Sequence, residues 1–150
     1  MKKLILIFLL LIAFTANSNK VLRIVKQSGL QINTFVESEI PKEINGCSAY
    51  FYRTMSDRKA EKYIGVNDLG KYAFIKINNK LLKFIQTKYS DMGKKHSWFY
   101  QSQDKAITLT ISVQTSKGEG SESSFITGTI TLQTMDGKKT IIPFVGDTGC

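Results

Sequence analysis

Two stretches decide the fold: Ile107-Thr-Leu-Thr-Ile-Ser-Val-Gln114 and Ile126-Thr-Gly-Thr-Ile-Thr-Leu-Gln133. In the first, Ile107, Leu109, Ile111 and Val113 alternate with Thr108, Thr110, Ser112 and Gln114. In the second, Ile126, Ile130 and Leu132 alternate with Thr127, Thr129, Thr131 and Gln133. Side chains on a strand point to opposite faces in turn, so this period of two describes strands with one face in a core. One solvated face is the habit of antiparallel sheets. Lys117 to Ser124, with Gly118 and Gly120, reads as the hairpin loop between them. Asp136-Gly137 reads as a tight turn into a further strand over Thr140 to Val145.

Upstream, Lys71 to Ile85 repeats the pattern around Asn78-Asn79, a dipeptide that tolerates positive φ and suits a two-residue turn. That turn sets Ile77 against Lys80, Ile75 against Leu82 and Ala73 against Phe84 on an apolar face. It sets Lys76 against Leu81, Phe74 against Lys83 and Tyr72 against Ile85 on the other. A slip of one residue would exchange the two faces. The second face mixes cations with large apolar groups. Left open, Tyr72, Phe74, Lys76, Leu81 and Lys83 would form a basic-aromatic binding surface. Covered, the same lysines would reach past the aromatics to solvent.

The remaining segments are shorter signals. Val21 to Val36 reads as one or two short strands broken at Ser28-Gly29, and Pro41 to Gly46 as a turn into Cys47. Ala49 to Arg53 is aromatic and strand-like. Ser56 to Lys62 fits a single helical turn with Ser56 as its cap. Glu37, Glu39 and Glu43 fall in the turn-like region and are expected to be solvated. Short strands with close turn signals predict an all-β, mainly antiparallel domain, a small sandwich or barrel of hairpins with little helix.

The amino terminus supplies an address. Lys2 and Lys3 precede an apolar run from Leu4 to Phe14, and Ala16-Asn17-Ser18 gives a small-x-small exit. This is the pattern of a secretory signal peptide over residues 1–18, leaving 19–150 as one exported domain, periplasmic or extracellular. The run is about 11 residues, short of the roughly 20 a spanning helix needs. No later stretch is longer, so no transmembrane anchor is expected. The 42% hydrophobic content suits an ordinary globular core.

In an oxidising compartment two cysteines are expected to pair, here Cys47 with Cys150. The chain carries a net charge of +9. From Arg53 to Lys95 there are eleven Lys/Arg against four Asp/Glu, so the middle holds the excess. Such a balance either keeps an exported protein soluble or offers a face to an anionic protein or envelope component. Export argues against nucleic acid as the partner.

Little specific chemistry is visible. Cys47, after Gly46, and His96, the one histidine, could make the thiolate–imidazole pair of a cysteine hydrolase. A Cys47–Cys150 bond would remove that thiol, and Ala49-Tyr50-Phe51-Tyr52 favours a strand over the helix such a nucleophile usually heads. His96, followed by Ser97-Trp98-Phe99-Tyr100, otherwise reads as a residue packed among aromatics. The aspartates never fall at calcium-loop spacing, and no metal or cofactor is expected. In size, signal peptide, β-rich pattern and C-terminal cysteine the chain resembles bacterial periplasmic lysozyme inhibitors. Those carry Ser-Gly-containing inhibitory motifs; the surroundings of Ser28-Gly29 do not match, so the resemblance carries over no residue. The functional expectation is a non-catalytic binding or inhibitor-type protein. The alternatives are the Cys47/His96 hydrolase and a structural, envelope-associated protein.

Overall fold

A computed structural model describes residues 29–115 and 124–150. The expected signal segment, Ser28 and most of the 117–124 loop lie outside the described residues; Ser124 itself opens a strand. The strands are β1 (Ser48–Tyr52), β2 (Tyr63–Asn67), β3 (Tyr72–Ile77), β4 (Lys80–Asp91), β5 (Lys95–Ser102), β6 (Ile107–Thr115), β7 (Ser124–Thr134) and β8 (Lys139–Gly149). Each pairs antiparallel with its sequence neighbour, and β8 returns to β1, closing an up-and-down barrel. Of the two all-β architectures expected, the barrel is the one found, and closure leaves no free sheet edge.

The Lys71–Ile85 hairpin folds in the predicted register, and the alternation read in β6 and β7 marks their buried face. Asn78 and Asn79 take φ of 49° and 64° and join β3 to β4. They set Ile77 opposite Lys80, Ile75 opposite Leu82 and Ala73 opposite Phe84. Leu109, Ile111, Val113, Ile126, Ile130 and Leu132 are all buried in the barrel interior. Gly128 interrupts their alternation for a steric reason. A Cβ there would lie 2.0 Å from the Ser112 carbonyl oxygen and 2.8 Å from the Phe144 ring. Phe144 fills that space and meets Phe51 edge-on at 4.8 Å between centroids.

The expected disulfide is present between Cys47 and Cys150 and ties the end of β8 to the start of β1. The expected helical turn is also present, as α1 (Met55–Lys59). Its cap is Thr54, not Ser56: the Thr54 hydroxyl accepts from the Asp57 amide at 3.1 Å, and Ser56 already lies within the first turn. Arg58 of α1 reaches Asp147 on β8 with two hydrogen bonds of 2.7 and 2.8 Å.

The segment before β1 departs from expectation. Residues 29–36 form no strand, only isolated bridges from Ile32 to Ile77 and from Phe35 to Tyr63. They act as a strap. Leu30 and Ile32 pack into the end of the barrel core. Phe35, Ile40 and Ile44 then cross the outside of the barrel and join Tyr52, Tyr63, Val66 and Phe74 in a second apolar cluster. Asn78 serves the strap as well as the turn. Its amide donates to the Gln31 carbonyl at 2.8 Å, and its side chain bonds Gly29 and Gln31 at 3.0 and 2.9 Å.

The strap covers the barrel end that carries the β3–β4 turn. By alternation of the strands, the opposite end carries the β2–β3 and β4–β5 turns and the Cys47–Cys150 link. That end is the mouth.

Candidate functional site at the barrel mouth

The five residues of the expected basic-aromatic surface are brought together, but under the strap. Phe74 is only 5% exposed, and Tyr72 and Leu81 are half-buried against the outer cluster. The open patch is therefore not found, because the outer face of β3 and β4 meets a second apolar layer. Lys76 pairs with Glu39 at 2.7 Å and Lys83 with Glu43 at 3.4 Å, so these glutamates latch the strap and are not merely solvated. The Lys76 hydrogen bond is the main cause holding the Glu39 carboxyl below its ordinary range. Lys83 also lies 3.8 Å above the Tyr72 ring. Further cations of the basic middle are likewise in use: Arg53 donates to the Ile32 carbonyl at 2.7 Å, and Lys88 lies over Phe99.

The Cys47–His96 pair is not assembled as a nucleophile, since the Cys47 sulfur is bonded to Cys150. His96 instead sits in β5 among aromatic rings, as its sequence neighbours suggested. Among the described residues no group of three or more His, Cys, Asp or Glu side chains could hold a metal ion. Among them, too, no helix is long and apolar enough to cross a membrane.

The cleft with the most chemical character is at the mouth. It encloses about 450 Å³ and is lined by Leu69, Gln86, Tyr89, His96, Trp98, Val113, Ile126 and Thr148. A β-bulge builds it. The β4–β5 register shifts between Gln86 and Lys88, so Gln86 faces Tyr100 while Tyr89 faces Trp98. Without the extra residue Tyr89 would alternate away from Phe84 and Gln86, to the outside. The Thr87 hydroxyl, on the extra residue, donates to the Phe99 carbonyl at 3.1 Å.

Three rings then form a shallow trough. Tyr89 and His96 are nearly parallel, 7° apart, with centroids at 6.3 Å. Trp98 tilts 35° to Tyr89 and 31° to His96. The Tyr89 hydroxyl is 3.0 Å from His96 Nδ1, and Asp91 Oδ1 is 3.2 Å from the same nitrogen. Partial burial, with Asp91 nearby, raises the Tyr89 hydroxyl above its ordinary pKa and keeps it neutral. Beneath the trough, Asn67 Nδ2 donates to the buried Tyr100 hydroxyl at 3.0 Å. Burial raises the Tyr100 pKa strongly. The Gln86 carbonyl oxygen is buried beside the cleft and has no hydrogen-bond partner.

A second cleft, of about 360 Å³, adjoins the first and shares His96 and Val113 with it. Met92, at the tip of the β4–β5 hairpin, lines this second cleft and is 72% exposed. The mouth thus offers stacking surfaces, apolar contacts and few polar groups, the usual make-up of a ligand site. Among the described residues it shows no activated nucleophile. Tyr89 and Gln86 were not singled out from sequence. Asp91 and Gly93 mark a β4–β5 turn that would have paired Tyr89 with the His96–Trp98 strand. No family model matches the chain, and no curated protein or solved structure matches it.

Proposed function

We propose that this is an exported, non-catalytic binding or inhibitor-type protein that makes its contact through the barrel mouth. The carrying observation is the Tyr89–His96–Trp98 trough, set between two adjoining clefts and flanked by exposed Tyr89 and Met92. Exposed apolar and aromatic side chains around a concavity with a few polar groups favour recognition of a partner or ligand. The disulfide and the leader-like amino terminus support an oxidising compartment. The strap gives the hairpin lysines internal partners, which moves the reading from the β3–β4 face to the mouth. A Cys47/His96 hydrolase would first need the Cys47–Cys150 bond broken.

Trp98 is the one tryptophan, so fluorescence excited beyond the tyrosine absorption band reports on the mouth. Envelope polymers and a small-fragment library titrated into the protein should include compounds that change this signal saturably. Their affinity should fall in Tyr89→Ala and hold in the double variant Lys76→Gln/Lys83→Gln. Binders that depend on the two lysines and ignore Tyr89 would return the contact to the hairpin face.

A further inference from the structure

We infer that the mouth recognises an organic cation, an alkylammonium or guanidinium group carried on an aliphatic stem. This rests on the binding reading above and adds the chemistry of the ligand. The polar and π groups converging there are matched to positive charge. The faces of Tyr89 and Trp98 present the negative side of their quadrupoles, and cations within about 6 Å of such rings are attracted. The Gln86 carbonyl oxygen is, among the described residues, the buried side-chain atom left without a partner; it lies just beneath the cleft surface, and a turn of the amide toward the cleft would let it accept from an N–H or O–H donor. Asp91 adds a carboxylate 3.2 Å from Nδ1 of His96, which lines the cleft.

Among the described residues, few groups at the first cleft are free to serve an anion. Among the described residues no lysine or arginine lines the first cleft. Lys95 lines the adjoining cleft, which favours the first for the cation. The Asn67 amide is committed to Tyr100, and the Tyr89 hydroxyl and His96 Nδ1 are committed to each other. Leu69, Val113 and Ile126 then supply an apolar wall for the stem. An anion would meet π faces with a carboxylate nearby, and a chain without an N–H or O–H donor would leave Gln86 unserved.

The test pairs ligands that differ in charge and little else. n-Pentylammonium is compared with pentan-1-ol, and N-acetyl-lysinamide with N-acetyl-norleucinamide, by saturation of Trp98 fluorescence in the intact disulfide-bonded protein. Each cation should half-saturate at a concentration at least about tenfold below its neutral partner. Gln86→Leu, shown to be folded by circular dichroism, should narrow the difference between N-acetyl-lysinamide and N-acetyl-norleucinamide, the pair in which only the cation brings a side-chain donor. A lysine amide tighter than the free amine assigns the cation to a protein side chain, and the reverse order to a small amine. Neutral ligands that bind as tightly as the cations would overturn the inference and leave the mouth as a binding site. No saturable change with any of the four would overturn the inference and count against the binding reading itself.

Discussion

Truncating Phe35 to alanine tests the strap, on which the placement of the site depends. Phe35 is 2% exposed, with its ring 5.7 Å from that of Tyr63, inside the cluster that also holds Phe74. Deleting a buried phenylalanine ring costs about 3–5 kcal/mol, the transfer free energy plus the cavity left behind. The strap keeps its backbone pair, Phe35 N to Tyr63 O at 2.8 Å and the return bond at 2.9 Å, so the lower figure applies, about 3 kcal/mol. Against a total stability of roughly 5–15 kcal/mol this is a large fraction, equivalent to roughly 10 °C in Tm. Urea unfolding followed by circular dichroism measures it, with the slope compared between proteins to confirm the same unfolding reaction. Val36→Ala, next in sequence and 47% exposed, is the control and should stay within about 0.5 kcal/mol. Equal losses in the two variants would refute the docked strap. The basic-aromatic face of β3 and β4 would then be open after all.

Replacing both Cys47 and Cys150 by serine opens a loop of sequence separation 103. Chain entropy predicts a stability loss of up to about 4.7 kcal/mol in denaturant unfolding, and a loss below about 1 kcal/mol would contradict it. Tyr100→Phe strands the buried Asn67 amide donor and should cost about 1–3 kcal/mol by the same assay. A neutral result would mean that Asn67 finds another acceptor. Hydrogen bonds from Lys138 and then Thr134 pull the Asp136 carboxyl from the ordinary 3.8 to about 2. Its pKa is depressed on folding, so its contribution is present above the unfolded value and fades as pH falls from 3.8 toward 2. Asp136→Asn should flatten that part of the acid-unfolding curve; superimposed curves would show that the turn does not hold the charge.

The strands β3, β4, β6 and β7 were legible because one physical rule wrote each of them, whereas β2 and β5 were not named from sequence. The Asn78-Asn79 turn set the β3–β4 register residue by residue, and the Thr/Ile alternation of β6 and β7 marked the inner face. Gly128 broke the alternation without breaking the strand, since only the fold shows that Phe144 crosses there. The strap was not legible. Leu30, Ile32 and Phe35 have no clean period because they pack on two different surfaces, the barrel end and its outer wall. The same pattern that placed Phe74 on the second face could not say what covers that face. The mouth was hidden for a different reason. It depends on a bulge at Gln86/Lys88, and one extra residue moves Tyr89 from one side of the sheet to the other without a turn residue to announce it. His96 was recognised as packed among aromatics, but its partners Tyr89 and Asp91 lie across a hairpin.

The central claim is that the mouth is the contact surface. The most direct measurement is an amide chemical-shift map of isotope-labelled protein, titrated with the tightest ligand from the Trp98 fluorescence titrations. The account predicts the largest shifts at Leu69, Gln86, Tyr89, His96 and Trp98, with Tyr72, Phe74, Lys76, Leu81 and Lys83 unmoved. Shifts concentrated on those last five residues, with a silent mouth, would contradict it.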